Sequence, residues 1–133
     1  MIRKKLAAVT AAAALMLSMT ACESTESSAD DNGGTPYIAI VSKGFQHQFW
    51  QAVKQGADQA AEEFGVEITF EGPDKETNVD QQIQMLTTAL GKNPSAIGFA
   101  ALDSQAATPL LEEAKSKDIP VVAFDSGVDS DIP

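Results

Sequence analysis

Short apolar runs alternate along this chain with longer segments in which apolar residues recur every three or four positions. Tyr37 to Ser42 (YIAIVS) is a short apolar run rich in β-branched residues, which predicts a buried strand, and Val66 to Phe70, Ala96 to Ala101 and Pro120 to Phe124 (PVVAF) read as three more strands. Between the first two, Phe49, Val53, Ala57, Ala60 and Phe64 recur at spacings of four, four, three and four, the face of one helix, which Gly65 closes. Gly72-Pro73 predicts a turn. A capping box at Asn78 and Gln81 then opens a second helix, whose buried stripe is Val79, Ile83, Leu86 and Leu90 and whose end is Asn93-Pro94. Thr108-Pro109 reads as N-cap and first position of a third helix, with Leu110, Leu111 and Ala114 facing inward. A glycine inside a helix costs about 1 kcal/mol, so Gly56 is expected to be a close-packing position against the sheet.

Strands separated by helices need crossover connections, and crossovers generate a parallel sheet covered by helices. The expected fold class is α/β, a Rossmann-like three-layer sandwich over residues 37–133. With 133 residues and 44% hydrophobic content, the chain has material for one core and not for two. Strand four reads as a central strand, yet only a polar stretch to Pro133 follows it, so either more chain once followed or the protein ends in an unusual place.

Residues 1–21 read as an export leader. Arg3, Lys4 and Lys5 precede an apolar run from Leu6 to Met19, which is shorter than the roughly 20 residues of a membrane span. The run ends at Met19-Thr20-Ala21-Cys22, which resembles a lipobox, so Cys22 is expected to carry lipid and to anchor the protein on the extracytoplasmic face of the cell membrane. The polar stretch to Pro36 reads as a disordered tether, residues 22–36 in all. Losing the leader removes three cationic residues and no acidic ones, taking the net charge from -10 to -13. So acidic a chain repels phosphate backbones and excludes sequence-independent nucleic-acid binding. One Cys excludes an internal disulfide, and one His excludes metal sites built from several histidines.

Parallel α/β sheets bind ligands beyond the carboxyl ends of their strands. The loops in question run over 43–50, 71–75, 102–105 and 125–129. None holds a GxGxxG, a P-loop or a GxSxG elbow, and His47 lies too near the first strand for a triad base, so no cofactor, metal or catalytic residue is expected. What remains is the aromatic pair Phe49-Trp50 with Asp103 and Asp125. Aromatic faces pack on sugar rings and carboxylates accept hydrogen bonds from hydroxyls, so this set suits a polyol. Each residue also has a structural reading. Phe49 starts the apolar stripe and could be core, whereas Trp50 lies off it. Asp103 could cap the next helix. Asp125 ends an apolar strand where no helix begins, and Lys43 and His47 could be ordinary exposed loop residues.

Four segments, FWQAVKQGADQAAEEFGV, QIQML, AIGFAALDSQAATPLLEEAK and IPVVAFDS, together resemble the ribose-type periplasmic binding proteins. The resemblance implies the N-terminal lobe of a type I periplasmic binding protein, a sugar ABC-transporter substrate-binding lipoprotein. It implies a sugar ligand, and an ABC permease with its ATPase as partners. It also implies that Phe49 and Trp50 clasp the sugar ring, that Asp125 binds hydroxyls and that His47 is a contact. The ribose binders have Asn-Pro before the aromatics and Arg after the aspartate; here stand His47-Gln48 and Ser126, so the bidentate arginine fork is missing. Glu71-Gly72-Pro73 is similar to the branch that binds autoinducer-2 or rhamnose. The resemblance further implies a second lobe, absent from these 133 residues. The rival readings are a sensor lipoprotein for chemotaxis or quorum sensing, the effector domain of a related repressor, which would need a helix-turn-helix in place of the leader, and an exported α/β enzyme, which lacks a nucleophile motif.

Overall fold

Seven elements follow one another in strict alternation in the computed structural model, which describes residues 34–133: β1 (Tyr37–Val41), α1 (Gln48–Phe64), β2 (Glu67–Glu71), α2 (Val79–Gly91), β3 (Ala96–Phe99), α3 (Thr108–Ser116) and β4 (Val121–Ala123). The export leader, Cys22 and the tether as far as residue 33 lie outside the described residues. The strands form one sheet in the order β2-β1-β3-β4, and every pairing is parallel. Each crossover helix therefore returns the chain to the same end of the sheet. The chain adds β2 on one side of β1 and β3 on the other, so the sheet changes its direction of growth at β1, the place where α/β folds open a crevice.

Alternation along the strands sends successive side chains to opposite faces. Ala39, Val41, Ile97, Phe99 and Val121 pack with Leu86, Ala89 and Leu90 of α2 and with Leu111 and Ala114 of α3. Ile40, Phe70 and Phe124 instead meet Trp50, Val53 and Ala57 of α1. The result is the expected three-layer sandwich. On the α1 side, an apolar hollow of about 370 Å³ extends along Ile38, Ile40, Gly98, Val122 and Phe124, and Val122 on the edge strand is 63% exposed.

Most helix boundaries follow the local chemistry. His47 is the N-cap of α1, its imidazole accepting the Phe49 N–H at 3.3 Å, and Gly65 ends the helix at φ 64, a left-handed conformation that glycine adopts without strain. Asn78 caps α2 by accepting the Gln81 N–H at 3.2 Å. Three expectations are corrected. The N-cap of α3 is Ala107, which has no side-chain bond, so Thr108 is already helical and Pro109 follows it. Gly72-Pro73 is not a turn; the chain bends at Asp74-Lys75 and turns at Glu76-Thr77. A Cβ at Gly56 would meet nothing within 4 Å, so this glycine is not a close-packing position, and nothing in the structure explains it.

The phase of α1 also differs from its pattern. Trp50 is 2% exposed while Phe49 is 50% and Phe64 72% exposed, so the buried stripe runs through Trp50, Val53 and Ala57. Both stripes share Val53 and Ala57 and both fit a period of 3.6 residues. Only the sheet beneath selects between them.

Candidate binding site

The strand register aligns the carboxyl ends of the sheet. Val41 pairs with both Glu71 and Phe99, and Phe99 pairs with Ala123, so Ser42, Gly72, Ala100 and Phe124 emerge side by side. Backbone bonds hold this edge together: Ser42 N–H donates to Glu71 O at 2.8 Å and Ala100 N–H to Val41 O at 3.0 Å. Ser42 is fully buried, with its hydroxyl 2.6 Å from Gly44 O and 3.1 Å from Glu71 O. At Gly72 a Cβ would collide with Gly44 O and the Ser42 hydroxyl, so glycine is what allows the two loops to touch.

Gln82 reaches the same edge from α2. It is 1% exposed, its amide donates to Ser42 O at 2.8 Å and Ala100 O at 2.9 Å, and its carbonyl oxygen accepts the Leu102 N–H at 2.9 Å. One polar side chain thus pairs three backbone groups that leave the ends of β1 and β3, where the ladder no longer satisfies them.

On this base stands a polar cluster. Lys43 Nζ lies 2.6 Å from Asp125 Oδ2 and donates to Ser126 Oγ at 2.6 Å, while Ser126 Oγ donates to Asp125 Oδ2 at 3.0 Å. Asp125 has φ 59, an uncommon conformation for a residue with a Cβ, and Ser126 N–H bonds back to Phe124 O at 2.6 Å. This tight reversal at the end of β4 aims the carboxylate at Lys43 instead of into a new helix. The hydrogen bond from Lys43, opposed by burial and aided by Ser126, holds the Asp125 carboxyl below the usual carboxylate range.

Beside the cluster, the Phe49 and Trp50 rings meet edge to face with centroids 4.8 Å apart, and Trp50 is backed by Phe124 at 6.4 Å. Lys43 Nζ sits 6.0 Å from the Trp50 ring centre, at the outer reach of a cation–π contact. The indole N–H of Trp50 donates to Glu76 Oε1 at 2.6 Å. Lys43, His47, Phe49, Trp50, Glu76 and Asp125 enclose an open hollow of about 360 Å³.

Five of the seven candidate ligand residues thus surround one hollow, and Ser126 braces two of them. The aromatic roles are exchanged relative to the pattern: Phe49 presents its ring, and Trp50 is packed beneath it. His47 stands at the rim as the α1 cap. Asp103 is not brought to the hollow. Its carboxylate accepts the Gln105 and Ala106 N–H groups at 2.9 and 2.8 Å, bonds that lower its pKa and fold the loop into α3. Neither Glu76 nor Gln82 was a candidate in the sequence. Gln82 carried a weak signal, as a polar residue beside Ile83 in an otherwise apolar stripe; Glu76, in a polar loop, carried none. Among the described residues no group of three His, Cys, Asp or Glu side chains could hold a metal ion.

The family model of the periplasmic binding protein domain matches residues 38–132. A fructose import binding protein of Bifidobacterium longum is 26% identical over 126 residues, which is 95% of this chain and 38% of that protein. Among solved structures, an ABC transporter, LacI family transcriptional regulator from Brachyspira murdochii is 46% identical with a TM-score of 0.68, over 74% of this chain and 30% of that one. A carbohydrate transporter solute binding protein from Agrobacterium radiobacter, in complex with D-arabinose, is 31% identical with a TM-score of 0.71, over 75% of this chain and 34% of that one. The chain therefore spans well under half the length of each of these proteins.

Proposed function

Because the chain belongs to the periplasmic binding protein domain family, we propose that it is the sugar-contacting N-terminal lobe of an extracytoplasmic solute-binding lipoprotein that feeds an ABC importer. The observation that carries the reading is the hollow at the carboxyl edge of the sheet, with one exposed aromatic ring set against a lysine–aspartate–serine cluster. Phe49 offers an apolar face to a sugar ring; Asp125 accepts hydroxyl hydrogens and Lys43 donates to ring or hydroxyl oxygens. Binding proteins for fructose and D-arabinose among the similar proteins support a sugar as ligand. No covalent chemistry is part of this function.

In this reading a second lobe closes over the sugar, and the closed form is selected because ligand touches both halves. The present lobe by itself covers one side of the ligand, whereas small-molecule sites usually bury about 70 to 90% of it. The 133-residue protein is therefore expected to bind D-fructose or D-arabinose no tighter than about millimolar, near -4 kcal/mol. Sugar titration followed by residue-resolved NMR tests this, with shifts expected at Lys43, Phe49 and Asp125. Micromolar binding by this chain, or shifts confined to other faces, would refute the site. Export and lipidation are tested by the intact mass of the protein expressed in a bacterium: the reading requires loss of residues 1–21 and a diacylglycerol on Cys22, and an unmodified Cys22 overturns the anchor.

A further inference from the structure

Glu76 is the carboxylate of the hollow that has no cation. Asp125 is held by Lys43, and the other ion pairs of the described residues, Lys54–Asp58 and Lys117–Glu113, lie on α1 and at the C-terminal end of α3. Glu76 instead uses Oε1 to accept the Trp50 indole N–H, and its Oε2 has no hydrogen-bond partner among the described residues. It borders two neighbouring hollows at once, the one lined by Lys43, Phe49 and Asp125 and a second of about 310 Å³ lined by Gly44, Phe45, Gln46 and Asp74. Glu76 is itself exposed, but its stem lies close by: a Cβ on Gly44 would come within 3.2 Å of both Glu76 Cγ and Trp50 Cδ1, so the Gly44 loop, the indole and the Glu76 side chain are neighbours.

The hollow thus holds two carboxylates and one ammonium, and the ammonium is committed to Asp125. An anion entering it meets a carboxylate without a cation beside an ammonium whose charge is already shared with Asp125. A neutral polyol meets a fixed acceptor. We propose that Glu76 is the specificity-determining residue of the site: anchored through Trp50, it accepts a ligand hydroxyl on Oε2 and selects neutral sugars over sugar phosphates and sugar acids. This rests on the sugar-site reading above, and it adds a residue and a ligand class to it.

The chain has one tryptophan, so its ¹H–¹⁵N spectrum holds one indole resonance, a direct reporter of the Glu76 bond. In the full chain without ligand, Glu76→Ala is expected to move that resonance strongly upfield, and Glu76→Gln, which keeps an acceptor oxygen, to move it less. The ligand arm compares D-arabinose with D-arabinose 5-phosphate at low ionic strength, where charge repulsion is least screened. The parent should favour the neutral sugar, Glu76→Gln should weaken D-arabinose binding by roughly tenfold, the scale of one lost charge-assisted bond, and the preference against the phosphate should shrink. An indole resonance unmoved in Glu76→Ala, or a preference unchanged in Glu76→Gln while Asp125→Asn still loses D-arabinose, overturns the role of Glu76 and leaves the sugar site standing. If D-arabinose shifts no resonance of Lys43, Phe49, Trp50 or Asp125 in the parent, the sugar site itself falls, and this inference with it.

Discussion

Replacing Gln82 by leucine separates two ways of reading α2. On hydrophobic pattern alone the change is favourable, because it places an apolar residue between Val79 and Leu86 on the buried side of the helix. In the structure it strands the carbonyls of Ser42 and Ala100 and the N–H of Leu102, which Gln82 satisfies at 2.8, 2.9 and 2.9 Å. A buried polar group left without a partner costs about 1–3 kcal/mol, so three of them set a gross loss of about 3–9 kcal/mol. Leucine recovers at most about 2 kcal/mol through burial of its methyl groups. A net loss of about 1–7 kcal/mol is expected, against the roughly 5–15 kcal/mol that stabilises a domain of this size. With a urea slope of about 1–1.5 kcal/mol per molar, the midpoint should fall by at least about 0.7 M. Urea unfolding followed by far-UV circular dichroism and by Trp50 fluorescence measures it, and coincidence of the two probes tests two-state behaviour. Gln84→Leu is the control, since Gln84 is exposed on the same helix. A midpoint for Gln82→Leu equal to or above the parent would show that these three bonds contribute nothing.

The remaining expectations concern the same edge of the sheet. Trp50→Ala should destabilise the fold by about 3–5 kcal/mol, as for other large buried aromatics, because the ring is 2% exposed; a loss under about 1 kcal/mol in urea unfolding would mean that the ring is not core. Gly72→Ala forces a methyl group onto Gly44 O and Ser42, and should cost about 1–3 kcal/mol and shift the Lys43 and Gly44 resonances; unchanged spectra would refute the close approach. The pKa of Asp125 is lowered in the folded state, so its pairing with Lys43 stabilises the fold above the ordinary carboxylate value of 3.8, and the contribution is lost as pH falls through the lower folded value. Acid titration of stability should therefore be shallower for Asp125→Asn than for the parent, and an identical acid limb would remove the pair from the account.

Much was determined by the sequence alone. Alternating apolar runs and amphipathic segments fixed the order of elements, since a buried strand and a one-sided helix leave different periods. Gly65 and Asn78 marked helix ends because capping is a contact between residues at most a few positions apart. Parallel strands place their carboxyl ends at one edge, which is enough to nominate Lys43, Phe49, Trp50 and Asp125 from the sequence. Tertiary structure decided everything that depends on a distant partner. Two stripes that share Val53 and Ala57 but open on Phe49 or on Trp50 satisfy the same helical period, and only contact with Phe70, Ala100 and Phe124 turns Trp50 inward and Phe49 outward. Asp103 and Asp125 occupy equivalent places after strands, yet one bonds to its own loop and the other to Lys43, 82 positions away in sequence, because only the second strand end turns back toward β1. Gln82 and Glu76 acquire their roles from partners 40 and 26 positions away, and no local period or cap encodes such a pairing.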